Sequence, residues 1–310
     1  MIEIFYKTIP FFALIGLGYS AAVTRFFSAE ATAYLTKFVF YFALSAMLFR
    51  FSSDLSLSEL YDPEFIYAYL SASLIIYFLA TAVAIFRKKV PSEAAVEAQC
   101  SVIGNVGFLG IPMLAILMGP KSVGFIMIIL AIDLIVFGSL IVLIIVASKD
   151  KKLDIFLFYR VLLGLMKNPM IVSIICGLLW SASGWSIPGP INDFIVMLGS
   201  AATPGALFAI GASLAQKSTE RFEVAAWLSF CKLVLHPFAV CIAVFYIFEV
   251  ELYAATVMIA AASLPVAGNI FMVAQHYNVA PKRASAAIFL STVFSIFTVS
   301  FTIAWVSNLN

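Results

Sequence analysis

Charge is what this sequence has least of: Asp, Glu, Lys and Arg together make up 11% of its 310 residues, where a soluble domain carries roughly a quarter. So little charge cannot cover a water-facing surface, which excludes a soluble globular protein. Histidine is nearly absent, with two in the chain, and the four cysteines show no C-x-x-C spacing. Cys100, Cys176, Cys231 and Cys241 all fall inside apolar runs and read as small buried hydrophobes, so neither a metal site nor a disulfide framework is expected. H-E-x-x-H, G-x-S-x-G and Walker A sequences are missing, and no carboxylates cluster. An enzyme and an ATP-driven pump are therefore disfavoured, and neither a cofactor nor a nucleic-acid partner is expected.

What is present is apolar: 64% of residues are hydrophobic and the mean hydropathy is +1.09. A helix needs about 20 apolar residues to cross a bilayer core. Runs of that kind are expected at Ile4–Thr24, Ala33–Phe51, Glu64–Phe86, Glu97–Met118 and Val123–Ser148. Five more follow at Asn168–Ser183, Ile191–Ala215, Phe222–Phe248, Leu252–His276 and Ala284–Val306. The first run lacks the basic n-region of a signal peptide and reads as a span. The expectation is an all-α polytopic protein with ten membrane helices.

The basic residues divide between alternate loops. One set includes Arg25, Arg87, Lys88, Lys89, Lys149, Lys151, Lys152, Lys217, Lys282 and Arg283, whereas Lys7, Arg50 and Lys121 stand on the other side. The positive-inside rule then puts both termini outside the cytoplasm of, we expect, a bacterial inner membrane.

A repeat lies under the spans. Pro10 and Gly18 in the first run recur as Pro169 and Gly177 in the sixth, and at the same offset Leu48-Phe49 matches Leu207-Phe208. Residues 1–152 and 168–310 read as two five-helix repeats joined by a connection at 153–167. Because five is odd, the repeats are inverted, and such carriers bind their solute where the halves meet.

Two spans are interrupted at equivalent places. The fourth contains Gly104-Asn105-Val106-Gly107-Phe108-Leu109-Gly110-Ile111-Pro112, and the ninth contains Ser263-Leu264-Pro265-Val266-Ala267-Gly268-Asn269. Paired Gly/Pro breaks point to a transport site, because unwound backbone survives at membrane depth only inside protein or beside water. Each break also creates a helix N-terminus that favours an anion. Pro112 suits the first turn of a restarted helix and Asn269 could cap the other. Candidate substrate-binding residues are thus Gly104, Asn105, Gly107, Gly110, Pro112, Pro265, Gly268 and Asn269. In the seventh span Thr203, beside Pro204, is a further candidate, although the small residues around it serve equally for close packing.

Three ionisable groups stand inside spans. Asp133 in the fifth is read either as the carrier of a coupling proton or as a structural hydrogen-bonding group. Lys232 and His236, four apart on one face of the eighth, could attract an anion, neutralise Asp133 or snorkel to an interface. Gln99 and Gln275 flank the two breaks at greater distance.

The run Gly104–Met113, the stretch Leu264–Asn269 and the ten spans with both ends outside resemble the auxin efflux carrier family, over essentially the whole chain. The resemblance implies a scaffold domain and a transport domain, each drawn from both repeats, with the broken helices crossing at Pro112 and Pro265. It puts Asn105 and Asn269 at the substrate site. The long hydrophilic loop of plant members is missing, and the third span has no internal acid or lysine over Phe65–Phe86 to support an anion. The resemblance therefore implies a bacterial organic-acid carrier, of the malonate type, rather than an auxin exporter. The expected partners are a small organic anion and membrane lipid; a homodimer and a coupling ion, proton or sodium, are left open. An anion channel and a solute sensor are the rival readings.

Overall fold

The computed structural model describes residues 2–54, 62–150, 163, 166, 168–215 and 222–309. The connection at 153–167 therefore lies outside the described residues, except for two positions, as do Lys151, Lys152 and Lys217. Among the described residues every regular element is a helix. They run α1 (Ile2–Val23), α2 (Ala29–Ser53), α3 (Pro63–Phe86), α4 (Pro91–Val102), α5 (Val106–Met118), α6 (Ser122–Ser148), α7 (Pro169–Ser183), α8 (Gly189–Leu214), α9 (Phe222–Ile247), α10 (Leu252–Ala262), α11 (Asn269–His276) and α12 (Pro281–Val306). Six of them, α2, α3, α6, α8, α9 and α12, are long and apolar enough to cross a membrane.

Local chemistry sets the ends. Ser28 caps α2 by accepting from the Ala31 N–H, Asp62 caps α3 through Phe65, and Asn168 caps α7 through Met170. Proline at the first turn of α3, α4, α7 and α12 supplies the helical φ and loses no hydrogen bond. Large apolar side chains such as Phe78, Phe294 and Phe297 stay exposed, a surface that suits lipid and not water.

Several helices begin a few residues earlier than expected, and two of these shifts bury charged residues. Glu97 does not mark the edge of a span: α4 starts at Pro91, and Glu97 is fully buried. Arg283, read as a loop cation, is buried in the first turn of α12. The physical reason is pairing. Arg283 Nη1 lies 2.8 Å from Glu97 Oε1 and 3.2 Å from Glu93 Oε2, and Arg87 bonds the other oxygen of Glu97.

Packing joins helices distant in sequence. α1 lies along α8, and α7 along the second half of α2. Glycine makes both approaches close: a Cβ at Gly18 would fall 2.0 Å from the Phe208 carbonyl oxygen, and one at Gly177 2.6 Å from that of Phe49. α1, α2, α7 and α8 pack chiefly with one another, as do α3, α4, α6, α9, α10 and α12.

Among the described residues five π turns interrupt the helices, at Val39–Ala43, Val106–Gly110, Asp133–Phe137, Cys231–Leu235 and Ala243–Ile247. Such turns recur at functional sites. Here one opens with Asp133, another contains Lys232, and a third starts beside Asn105.

Candidate functional site

The two interruptions meet. Ile103 to Asn105 and Pro265 to Ala267 run antiparallel, bridged at Gly104 and Val266. The Asn105 N–H donates to the Pro265 carbonyl at 2.8 Å, and the Ala267 N–H donates to that of Ile103 at 3.0 Å. Val266 N–H donates to Ser291 Oγ of α12 at 3.1 Å. Each break thus satisfies backbone groups freed by the other, which is what permits non-helical chain inside an apolar bundle.

The crossing sits at Gly104 and Val266, which corrects the expectation of a Pro112–Pro265 crossover. Pro265 contributes its carbonyl, but Pro112 lies well past the break, in the continuous helix that follows the π turn at Val106–Gly110. Gly104 leaves room at the crossing, where an added Cβ would stand 3.3 Å from the Lys232 Cε and 3.4 Å from the Ala261 carbonyl oxygen. Nor does Asn269 cap its helix: it is the first residue of α11, with Gly268 in the cap position.

Beside the crossing is a cavity of about 20 Å³, lined by Ile103 to Phe108, Leu130, Asp133, Leu134, Met170 and Ala267 to Asn269. That space accepts about one water molecule. The N-terminal ends of α5 and α11 both border it. Asn105 is 5% exposed, and Asn269 Oδ1 and Asp133 Oδ2 are buried without a hydrogen-bond partner. Unsatisfied polar atoms around one cavity are rare in folded proteins and mark a place made for a polar occupant.

Of the predicted residues, the fold brings Gly104, Asn105, Gly107, Gly268, Asn269 and Asp133 to this cavity. Gly110 instead packs against Leu264, where an added Cβ would stand 2.7 Å from the Leu264 Cδ1. Thr203 does not line the cavity; beside it Gly205 lets α8 approach Val39 of α2, which is the packing reading of that small-residue stretch. Gln99 is buried and Gln275 exposed.

Lys232 and His236 are fully buried, so Lys232 does not snorkel. Its Nζ donates to the Ala262 carbonyl and lies 3.2 Å from His236 Nδ1, while its stem packs where a side chain at Gly104 would go. It also interacts electrostatically with Asp133. Sequence reasoning missed the partners from α3. Tyr69 Oη donates to Asp133 Oδ1 at 2.8 Å, and Ser73 Oγ is 3.0 Å from His236 Nε2. The available signal was their spacing of four, which puts two hydroxyls on one face of an apolar helix. The third span supplies polarity without charge.

Against known proteins, the chain is similar to a Rhizobium meliloti (strain 1021) protein named "Putative malonate transporter", at 29% identity over 303 residues, covering 97% of this chain and 95% of that one. The model of the family described as Membrane transport protein, that of the auxin efflux carriers, matches residues 3–303. Nearly the full length is matched, and with it both broken helices. The chain belongs to this membrane transport protein family and is a multi-pass membrane transporter, not an enzyme.

Proposed function

We propose that this transporter is a secondary carrier for a small organic anion, a dicarboxylate of the malonate type, bound beside the crossing of the broken helices. The observation that carries the reading is one cavity bordered by two helix N-termini and two asparagines. Partial positive charge at both ends favours a carboxylate, and an asparagine side-chain amide donates to one without adding charge. The malonate relative supports the substrate class.

Alternating access is the mechanism we infer. A cavity of about 20 Å³ is too small for a dicarboxylate, so binding requires its walls to part. Those walls come from both helix groups: Met170 of α7 faces Gly107 of α5, with its Cε 3.0 Å from where a Cβ would be. We take α1, α2, α7 and α8 as the scaffold and the remaining helices as the transport domain, sliding along that contact. The inverted repeat is supported by exchanged contacts, since Gly18 meets Phe208 while Gly177 meets Phe49, the equivalent pair with halves reversed. Ten crossings, a bacterial inner membrane location and both termini outside the cytoplasm complete the reading.

Asp133 completes the coupling. An ionised carboxylate lining the cavity repels a bound anion, so substrate and proton are taken up together. Asp133→Asn is expected to keep malonate exchange but lose its pH dependence, measured as counterflow in proteoliposomes over a pH series. A pH profile unchanged from wild type would remove Asp133 from the coupling.

The site itself is tested by Asn105→Ala and Asn269→Ala, each expected to weaken malonate binding at least tenfold, the worth of about one charge-assisted hydrogen bond. Titration calorimetry on folded protein reads this directly. Wild-type affinity in both variants would move the site elsewhere. Absence of trans-stimulated exchange in the wild type would favour the channel reading over a carrier.

A further inference from the structure

The broken ninth span has a second end. α10 stops at Ala262: the carbonyls of Ile259, Ala260 and Ala261 still accept from the Ser263 and Leu264 N–H groups, but that of Ala262 loses the N–H that would continue the helix. This is the negative end of the helix dipole, inside the bundle, and it favours a cation. The structure holds a basic side chain there already. The Lys232 ammonium, fully buried, donates to the Ala262 carbonyl and has His236 Nδ1 at 3.2 Å.

The chemistry of the pair fixes the imidazole. With Lys232 protonated the amine has donors only, so Nδ1 accepts, and the ring proton is then on Nε2, which donates to Ser73 Oγ at 3.0 Å. The acceptors around Lys232 are therefore a freed carbonyl and a neutral imidazole, with Asp133 as the nearby acid and Tyr69 bonded to it. Those groups come from α3, α6, α9 and α10. Carbonyls at the ends of broken helices are the ligands that such carriers offer to coupling cations. Here a side chain has taken the place.

We propose that Lys232 is a tethered cation occupying a monovalent-cation site at the carbonyl end of the broken ninth span, so that the protein works without free sodium. Removing the side chain exposes a site for a small free cation, methylammonium being the nearest mimic of the lost group. The consequence for coupling rests on the crossing being the carrier's working site, but the site's occupancy does not.

The test is thermal unfolding of purified, substrate-free protein in chloride salts of choline, sodium and methylammonium. Wild type is expected to unfold at one midpoint in all three. Lys232→Ala should unfold roughly 5 °C or more lower in choline, and methylammonium should restore about half of that shift, saturating with concentration as binding to the folded state requires. Lys232→Met, which keeps the stem and loses the charge, should be lowered and should not respond. A Lys232→Met midpoint equal to wild type, or a Lys232→Ala midpoint indifferent to the salt, would overturn the proposal. If neither variant folds, the wild-type arm decides, because sodium-specific stabilisation of the wild type would mean the cation site is not already filled. With no substrate in any arm, failure here leaves the malonate reading standing, and loss of malonate binding leaves this one.

Discussion

Glu97→Leu is expected to destabilise the folded protein by roughly 3–5 kcal/mol, the cost of removing one member of a buried ion pair. Glu97 is fully buried and accepts from Arg283 at 2.8 Å and from Arg87. The two arginines differ in what they can do once it is gone. Arg87 is about a third exposed (31%) and can turn to water, whereas Arg283, with 8% of its side chain exposed, cannot without unwinding the start of α12. Glu93, itself 3.2 Å from Arg283, is partly solvated and offsets only some of the loss. The double variant Glu97→Leu/Arg283→Met should therefore recover most of the stability, because replacing a whole buried pair with apolar groups is often close to neutral. Thermal unfolding in detergent of the wild type, the single and the double variant checks both parts. A double variant no better than the single one would mean that shape, not charge, holds α4 against α12.

Gly211→Ala is expected to cost about 3 kcal/mol, at the upper end for overpacking. Its added Cβ would fall 1.9 Å from the Ile15 carbonyl oxygen and 2.9 Å from the Tyr19 nitrogen. These are backbone atoms, so no rotamer change relieves the clash, and α1 must move away from α8. Gly18→Ala meets the Phe208 carbonyl at 2.0 Å in the same contact. The two together should cost less than their sum, since a gap opened for one partly accommodates the other. Gly16, two residues before Gly18 in α1, is the control: nothing lies within 4 Å of an added Cβ there. Gly16→Ala should be neutral or slightly stabilising, as alanine is the better helix former by up to about 1 kcal/mol. Equal midpoints for Gly16→Ala and Gly211→Ala would show that α1 and α8 are not in close contact.

The helices themselves were legible in the chain because membrane insertion writes a strong, local signal. Runs of apolar residues long enough for a bilayer are rare by chance, and α2, α3, α6, α8, α9 and α12 all fall on them. The interruptions were equally legible, since Gly104, Gly107 and Pro265 break a pattern that is otherwise unbroken. Where the breaks touch was not. The family resemblance implied proline at the crossing, yet Pro112 fits the second position of the helix that follows the π turn and leaves the contact to Gly104.

Side-chain partners were hidden for a different reason. Lys232 and Ala262 are 30 residues apart, Tyr69 and Asp133 64, and Glu97 and Arg283 186. Periodicity reports which face of a helix is apolar, but it carries nothing about which helix that face meets. Glu97 and Arg283 therefore looked like the water-facing ends of spans, and only their pairing explains why both are buried.

The sequence by itself determined that the chain lies in a membrane, roughly where its helices run, and that the fourth and ninth runs are broken. Those properties follow from local hydropathy and from the backbone limits of glycine and proline. The tertiary structure alone decided that the breaks bridge at Gly104 and Val266, that Asp133 borders the cavity they leave, and that Lys232 ends on the Ala262 carbonyl. Each of these is a contact between distant segments, selected by shape and by the cost of leaving a polar group unsatisfied in an apolar interior.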